Sequence, residues 1–280
     1  MIKKQVLSCS VLFTLLFLAK VSDHDARARE NKSERPITHR SIPLEKADIR
    51  PVENPSYLNS LHFANEFPPL EDKQIRKKML SHLHSFSHKL QNSNRIHELA
   101  VNSLPAVESI LAHYGIPSDF KYVPLVESRF TKDVTSPKGA SGYWQFMPET
   151  ARAFGLKVND EVDERQDLVK STHAAAKYLK ALYREFDNWA LVAAAYNVGS
   201  GNLRKAIKAQ GEDNYFRLKL NRETSAYVYN LIAMKEIIEH PVIHGYSAPE
   251  ALLAQAMHSS KSEGTEGGRD ANSAYRGGRF

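Results

Sequence analysis

Cysteine is almost absent from this 280-residue sequence: Cys9 is the only one. A single thiol excludes an internal disulfide and any multi-cysteine metal site. The 12 histidines are scattered, and none forms a His-x-x-x-His pair with a general-base glutamate. No metal and no cofactor is therefore expected. The Gly-x-Ser-x-Gly nucleophile elbow and the phosphate loop are missing too. No alternating apolar pattern long enough for a strand occurs. Glycine and proline stand at 13 each, too few for a low-complexity chain. With 42% hydrophobic and 25% charged residues, wholesale disorder, collagen and coiled coil are also excluded. Long apolar runs are lacking except at residues 6–19, and that run is short for a bilayer span of about 20 residues.

What is present begins with an address. Lys3 and Lys4 precede the apolar run, and Ala26-Arg27-Ala28 offers a small-x-small cleavage site. Residues 1–28 are read as a signal peptide, with an uncleaved anchor as the alternative. The chain is then exported, to the periplasm or cell envelope. Cys9 precedes the apolar core, which places it badly for lipid anchoring. The formal charge is +6, which suits an anionic partner of some kind. The signal holds four cations (Lys3, Lys4, Lys20, Arg27) against two acids (Asp23, Asp25), so its removal leaves +4. The basic residues are dispersed among acids, so no nucleic-acid partner is expected.

Residues 29–70 are polar and broken by Pro36, Pro43, Pro51, Pro55, Pro68 and Pro69, the signature of a linker or loose arm. From residue 71 to 245 the spacing is helical, and the predicted fold class is all-α. Met79, Leu80, Leu83, Phe86 and Leu90 recur at three- and four-residue steps, and the next helix holds Leu104, Val107, Ile110 and Leu111. A short helix is predicted over 120–128, with Ser118 as its cap and a kink at Pro124. Pro148 suits the first turn of another helix, ending at Gly155. Asp167 and Asn188 are predicted caps of the next two helices. Gly199-Ser200-Gly201 is read as a helix stop rather than a glycine-rich loop. A last helix is expected over 227–238, ended by Pro241. Residues 246–280 read as a mobile tail.

One carboxylate stands out. Glu127 lies in Pro124-Leu125-Val126-Glu127-Ser128-Arg129-Phe130, with apolar neighbours and at the predicted end of a helix. Burial and the negative end of the helix dipole both disfavour a charged carboxylate. A carboxyl kept protonated near neutrality is what a general acid requires. The plain alternative is a helix-end glutamate paired with Arg129. Trp144 can be read as core or as groove lining, and Tyr196 as core. Asp163, Arg165 and Asp167 read as caps and ion pairs. Asp133 and Glu149 are the nearest candidates for a second carboxylate, each also explained by loop polarity or first-turn charge.

Six segments in order resemble the lytic transglycosylases of the lysozyme superfamily, most closely the membrane-bound type D branch. They begin with Pro124-Leu125-Val126-Glu127-Ser128, Thr135-Ser136-Pro137, and the stretch from Gly139-Ala140-Ser141-Gly142 through Tyr143-Trp144-Gln145-Phe146-Met147-Pro148. Asp163-Glu164-Arg165 with Asp167, Ala194-Ala195-Tyr196-Asn197 with Gly199, and Glu223-Thr224 with Tyr227-Val228 complete them. The resemblance covers about residues 98–240 and implies a lysozyme-like domain with a substrate cleft. It implies that Glu127 is the single catalytic acid. It further implies that Ser136, Gln145, Met147, Tyr196, Asn197, Glu223 and Tyr227 line the groove. Tyr143 departs from the aliphatic residue commonest at its position. The resemblance also implies the substrate, peptidoglycan glycan strands, and the products, 1,6-anhydromuramic acid ends made without water. Cell-wall or outer-membrane proteins are candidate partners. A hydrolytic muramidase and a catalytically silent peptidoglycan-binding scaffold are the alternatives. The type D branch often carries glycan-binding repeats, for which residues 246–280 are too short.

Overall fold

The computed structural model describes residues 54–91 and 93–248. The expected signal (1–28), residues 29–53 of the expected arm and residues 249–280 of the expected tail lie outside them. The prolines that interrupt the arm also begin its first helix. Asn54 accepts a hydrogen bond from Ser56 N at 2.9 Å, and Pro55 occupies the first turn of α1 (Pro55–Ser60). Leu58, Leu61, Phe63 and Leu70 are then buried in the main core. The arm is therefore packed from residue 54 onward, and the boundary expected at 71 falls inside the folded body. These side chains insert at irregular spacing, which a search for helical periods does not register.

Helix α2 (Lys73–Phe86) is capped by Asp72 and buries Ile75, Met79 and Leu83. Leu90, expected on the same face, sits on the separate short α3 (His88–Gln91) and is exposed. Helix α4 (Arg95–His113) buries Ala100, Leu104, Val107 and Leu111 and tolerates Pro105 inside it. The predicted kinked helix over 120–128 is two pieces. A 3-10 turn (Ser118–Tyr122) runs into α5 (Val123–Glu127), where Pro124 lies in the first turn and so initiates the helix instead of bending it. Helix α6 (Pro148–Ala153) follows the long loop.

Asp167 caps α7 (Leu168–Phe186) through Lys170 N, and Asn188 caps α8 (Trp189–Val198) through Leu191 N, both at 2.9 Å. Helix α8 is buried along nearly its whole surface and packs on α7, α9 (Ser200–Gln210) and α10 (Arg222–Glu239). Helix α9 was not expected. Gly199, at φ +85°, ends α8 and directly precedes α9, so Gly201 lies within a helix and not beyond one. Helix α10 begins five residues before its predicted start, at an Asn221 cap. Among the described residues the extended pairings are isolated bridges, including Thr135 with Ser141 and Ser141 with Phe146. The architecture is all-α, and no helix among the described residues is long and apolar enough to cross a membrane.

Candidate active site

Helix α5 stops at Glu127 because the next residues leave helical geometry. Arg129 and Phe130 take left-handed φ values of 51° and 56°. Each such non-glycine position costs of order 1–3 kcal/mol and must be held by its surroundings. Ser128 Oγ donates to the Tyr143 carbonyl at 2.9 Å, and Phe130 is buried beside Tyr143. The Glu127 side chain thus leaves from the C-terminal end of a five-residue helix whose exit is pinned.

The loop after it is a cross-braced scaffold. Ser136 Oγ accepts from Ala140 N at 3.0 Å. Gln145, itself at φ +47°, donates from Nε2 to the carbonyls of Val134 and Gly142, both at 3.0 Å. Buried Arg165 grips Asp163 with Nε and Nη2, at 2.8 and 2.6 Å, and donates from Nη1 to the Gly139 and Phe146 carbonyls. A two-bonded guanidinium–carboxylate pair fixes direction as well as distance. Gly142 lies so close to this clamp that a Cβ there would stand 1.9 Å from the Arg165 carbonyl oxygen. Trp144 is fully buried and donates from Nε1 to Thr172 Oγ1, so it belongs to the core and not the groove.

Helices α8 and α10 bring the remaining polar groups to Glu127. Tyr227 donates its hydroxyl to Glu127 Oε1 at 2.5 Å. Tyr196 donates to the Trp144 carbonyl at 2.6 Å, and its ring packs on Trp144, Phe146 and Tyr178. Burial drives both phenols well above their ordinary pKa, and the charge of Glu127 adds to the rise. They therefore act here as neutral donors. Asn197 donates from Nδ2 to Glu223 Oε1 at 3.0 Å and accepts from Thr224 Oγ1 at 2.8 Å. Burial raises the half-buried Glu223 carboxyl, against the opposing Asn197 bond and the charge of Lys138.

The structure thus gathers Glu127, Tyr196, Asn197, Glu223 and Tyr227 around one polar cluster. It gives Ser136 and Gln145 hydrogen bonds within the loop's own backbone, and it sets half-buried Met147 at the residue before α6. Asp133 and Glu149 are exposed. Sequence reasoning missed Lys138, whose charge bears on Glu223, and the bracing role of Thr224 and Thr172. Thr224 stood within the Glu-Thr segment already singled out; Lys138 and Thr172 carried no local signal. Among the described residues no group of three His, Cys, Asp or Glu side chains is arranged to hold a metal.

Residues 106–218 match the family described as Transglycosylase SLT domain. The chain is 34% identical over 176 residues to the membrane-bound lytic murein transglycosylase D of Escherichia coli K12, a match over 60% of this chain and 39% of that protein. It is 36% identical over 122 residues to the peptidoglycan transglycosylase gp16 of Escherichia phage T7, over 42% of this chain and 9% of that one. Among solved structures it is similar to the 70 kDa soluble lytic transglycosylase of Escherichia coli, at 24% identity, a TM-score of 0.38, 51% of this chain and 26% of that one. The chain therefore spans well under half the length of each of these three relatives.

Proposed function

We propose that this chain, whose residues 106–218 match the Transglycosylase SLT domain family, is a lysozyme-like peptidoglycan lytic transglycosylase with Glu127 as its acid and base. The observation that carries the reading is the 2.5 Å hydrogen bond from Tyr227 to Glu127 Oε1 inside a partly buried polar cluster. In the proposed reaction, protonated Glu127 gives its proton to the oxygen bridging N-acetylmuramic acid and N-acetylglucosamine. The muramic acid's own N-acetyl oxygen steadies the cationic C1. Charged Glu127 then takes the proton of the sugar's 6-hydroxyl, whose oxygen closes on C1 to give the 1,6-anhydro end. Glu127 ends as it began and no water is consumed. Tyr227 is placed to stabilise the carboxylate at the step where it carries charge.

The signal pattern in residues 1–28 supports export to the periplasm or cell envelope, where the substrate lies. The organisation that goes with it is signal, arm, catalytic domain and tail, with the domain reaching back to residue 54. A net positive mature chain is suited to the anionic cell wall.

Mass spectrometry of peptidoglycan digests separates the readings. Anhydro ends support the proposal, reducing ends a hydrolytic muramidase, and no product a silent binding protein. Glu127→Gln is expected to keep the fold and lose at least the roughly 10²–10⁴-fold that one acid–base group supplies. Solubilisation by that variant at the parent rate would sink the assignment. The hydrolytic reading needs a second carboxylate, and Glu223, whose charge also reaches Tyr227, is the one the cluster contains. Glu223→Gln is expected to leave anhydro products as the output; a variant as dead as Glu127→Gln would favour hydrolysis.

A further inference from the structure

From Thr135 to Phe146, Lys138 is the one charged residue. It sits at the tip of a tight loop. Gly139 N donates to the Ser136 carbonyl at 2.8 Å, so Pro137 and Lys138 are the two central residues of a four-residue turn. Gly139 follows at φ +89°, the left-handed position that closes a three-residue hairpin loop. At the base of the loop Ser136 N donates to the Ala140 carbonyl at 2.7 Å, and the Ser136 hydroxyl accepts from Ala140 N at 3.0 Å. Buried Arg165 donates to the Gly139 carbonyl at 2.7 Å. The backbone under Lys138 is therefore fixed, while the residue itself is exposed. It forms no hydrogen bond or ion pair with another described residue.

The segment that carries this tip is tied to the site at two points. Ser128, next to Glu127, donates to the Tyr143 carbonyl, and Tyr196 donates to the Trp144 carbonyl. The cluster beside it contains two carboxyls, Glu127 and Glu223, which together disfavour an anionic ligand. Lys138 is the cation whose charge reaches Glu223, in the first turn of α10, although the two do not close into an ion pair. Its charge is thus held next to the cleft and left open to a ligand. Lysine, a point charge on a flexible stem, suits a carboxylate on a swinging arm.

We infer that Lys138 is a specificity residue of the cleft, its ammonium taking a carboxylate carried on the side arm of muramic acid. The inference rests on the proposed reading of the chain as a peptidoglycan lytic transglycosylase and adds to it what selects the strand. Muramic acid differs from N-acetylglucosamine by a lactyl ether arm. That arm ends in a carboxylate, or in an amide to a stem peptide that carries carboxylates of its own. A glycan of N-acetylglucosamine alone offers Lys138 nothing.

Binding to the full chain, measured by calorimetry in a Glu127→Gln background that prevents turnover, tests it. Three tetrasaccharides are compared: chitotetraose, the alternating muramic acid strand with free lactyl carboxylates, and the same strand with stem peptides. Lys138→Gln is expected to weaken carboxylate-bearing strands about three- to fivefold, and Lys138→Glu at least about tenfold. Lys138→Arg is expected to keep the parent affinities, and chitotetraose to change less than about twofold in every variant. The difference is expected to shrink with added salt. Loss on the bare strand alone assigns the lactyl carboxylate, and loss on the peptide-bearing strand alone the stem. Equal weakening on all three ligands overturns the inference, since an effect through Glu223 or the loop fold does not depend on ligand charge. No weakening on either charged strand overturns it too. If the chain with Glu127 intact still yields anhydro ends in that case, this inference alone fails; if neither parent nor variant binds any of the glycans, the proposed function falls with it.

Discussion

Replacing Tyr227 by Phe removes one hydroxyl and keeps the ring. Tyr227 is 3% exposed, and its buried ring is kept in the change. What is lost is the bond to Glu127 Oε1, at 2.5 Å within the range of short O–H···O⁻ contacts. A hydrogen bond to a charged acceptor is worth about 1.5–3 kcal/mol. In the proposed cycle Glu127 is charged after it has given up its proton, so the bond is stronger along the reaction than before it. At about 1.4 kcal/mol per tenfold, its loss corresponds to a fall of about 10- to 150-fold in kcat. KM is expected to change little, because substrate binding does not depend on that charge. The assay is the rate of anhydro-product release with purified peptidoglycan, run beside a thermal melt. A double variant adds a sharper check. Once Glu127→Gln has removed the acid, Tyr227→Phe has nothing left to act on and should cost almost nothing more. Parent-like kcat in Tyr227→Phe, or full additivity in the double variant, refutes the role assigned to the contact.

Other expectations follow from the same geometry. Gly142→Ala puts a Cβ 1.9 Å from the Arg165 carbonyl oxygen at a backbone φ of +79°. It is expected to destabilise by more than about 3 kcal/mol in urea unfolding, and to abolish product formation through the displaced loop. His244 is buried, and burial, then the charge of His240, pushes its pKa down from 6.5 to about 4. The unfolded chain therefore takes up this proton first as pH falls, so the contribution is full above 6.5 and drains away towards 4. Between neutrality and pH ~4.5 the loss is about 2–3 kcal/mol. His244→Gln, which keeps a donor and cannot titrate, should flatten that part of the urea stability profile; an unchanged profile would refute the assignment.

Helical spacing made α2, α4, α7 and α10 legible through apolar side chains at regular steps, whereas α8, buried nearly all round, was legible from its Asn188 cap and glycine stop. The caps Asp167 and Asn188 were legible for the same local reason: a short side chain beside free amide groups. The packed segment from residue 54 was hidden because Leu58, Leu61 and Phe63 are held by tertiary contacts with no period of their own. Helix α9 was hidden because Gly199 serves as the end of one helix and the start of the next. At the site, Glu127 could be picked out by its apolar neighbours and its place at a helix end. Tyr227 was marked for the groove only by the resemblance, and its contact with Glu127 was not legible: the two are 100 residues apart in sequence, and only the packing of α10 on α5 joins them. Gln145, which the resemblance marks for the groove, donates its amide to two backbone carbonyls of its own loop, a bracing role that its sequence neighbours did not signal.

That distance in sequence makes the register of α10 the critical quantity. Its N-terminal half carries Glu223 and Tyr227 to the polar cluster. Its C-terminal half holds three charged residues against the body: Lys235 on Asp119 at 2.9 Å, Glu236 under the Tyr57 hydroxyl at 2.8 Å, and Glu239 under the Tyr122 hydroxyl at 2.7 Å. Lys235, Glu236 and Asp119 are all buried. Such groups are a poor choice for net stability, since desolvation offsets much of the attraction. An apolar helix face, by contrast, tolerates a slip, because one aliphatic side chain fits about as well as its neighbour. A slip of one residue turns the helix by about 100° and advances it about 1.5 Å, enough to carry the Tyr227 hydroxyl off Glu127. The buried ties do not tolerate that slip, because each would leave a charge or hydroxyl unpaired in the core. Asp119 also accepts from Ala64 N at 2.7 Å, and Tyr57 lies on α1. The segment once expected to be a loose arm therefore helps to set, from about 12 Å along the helix, where the tyrosine meets the glutamate.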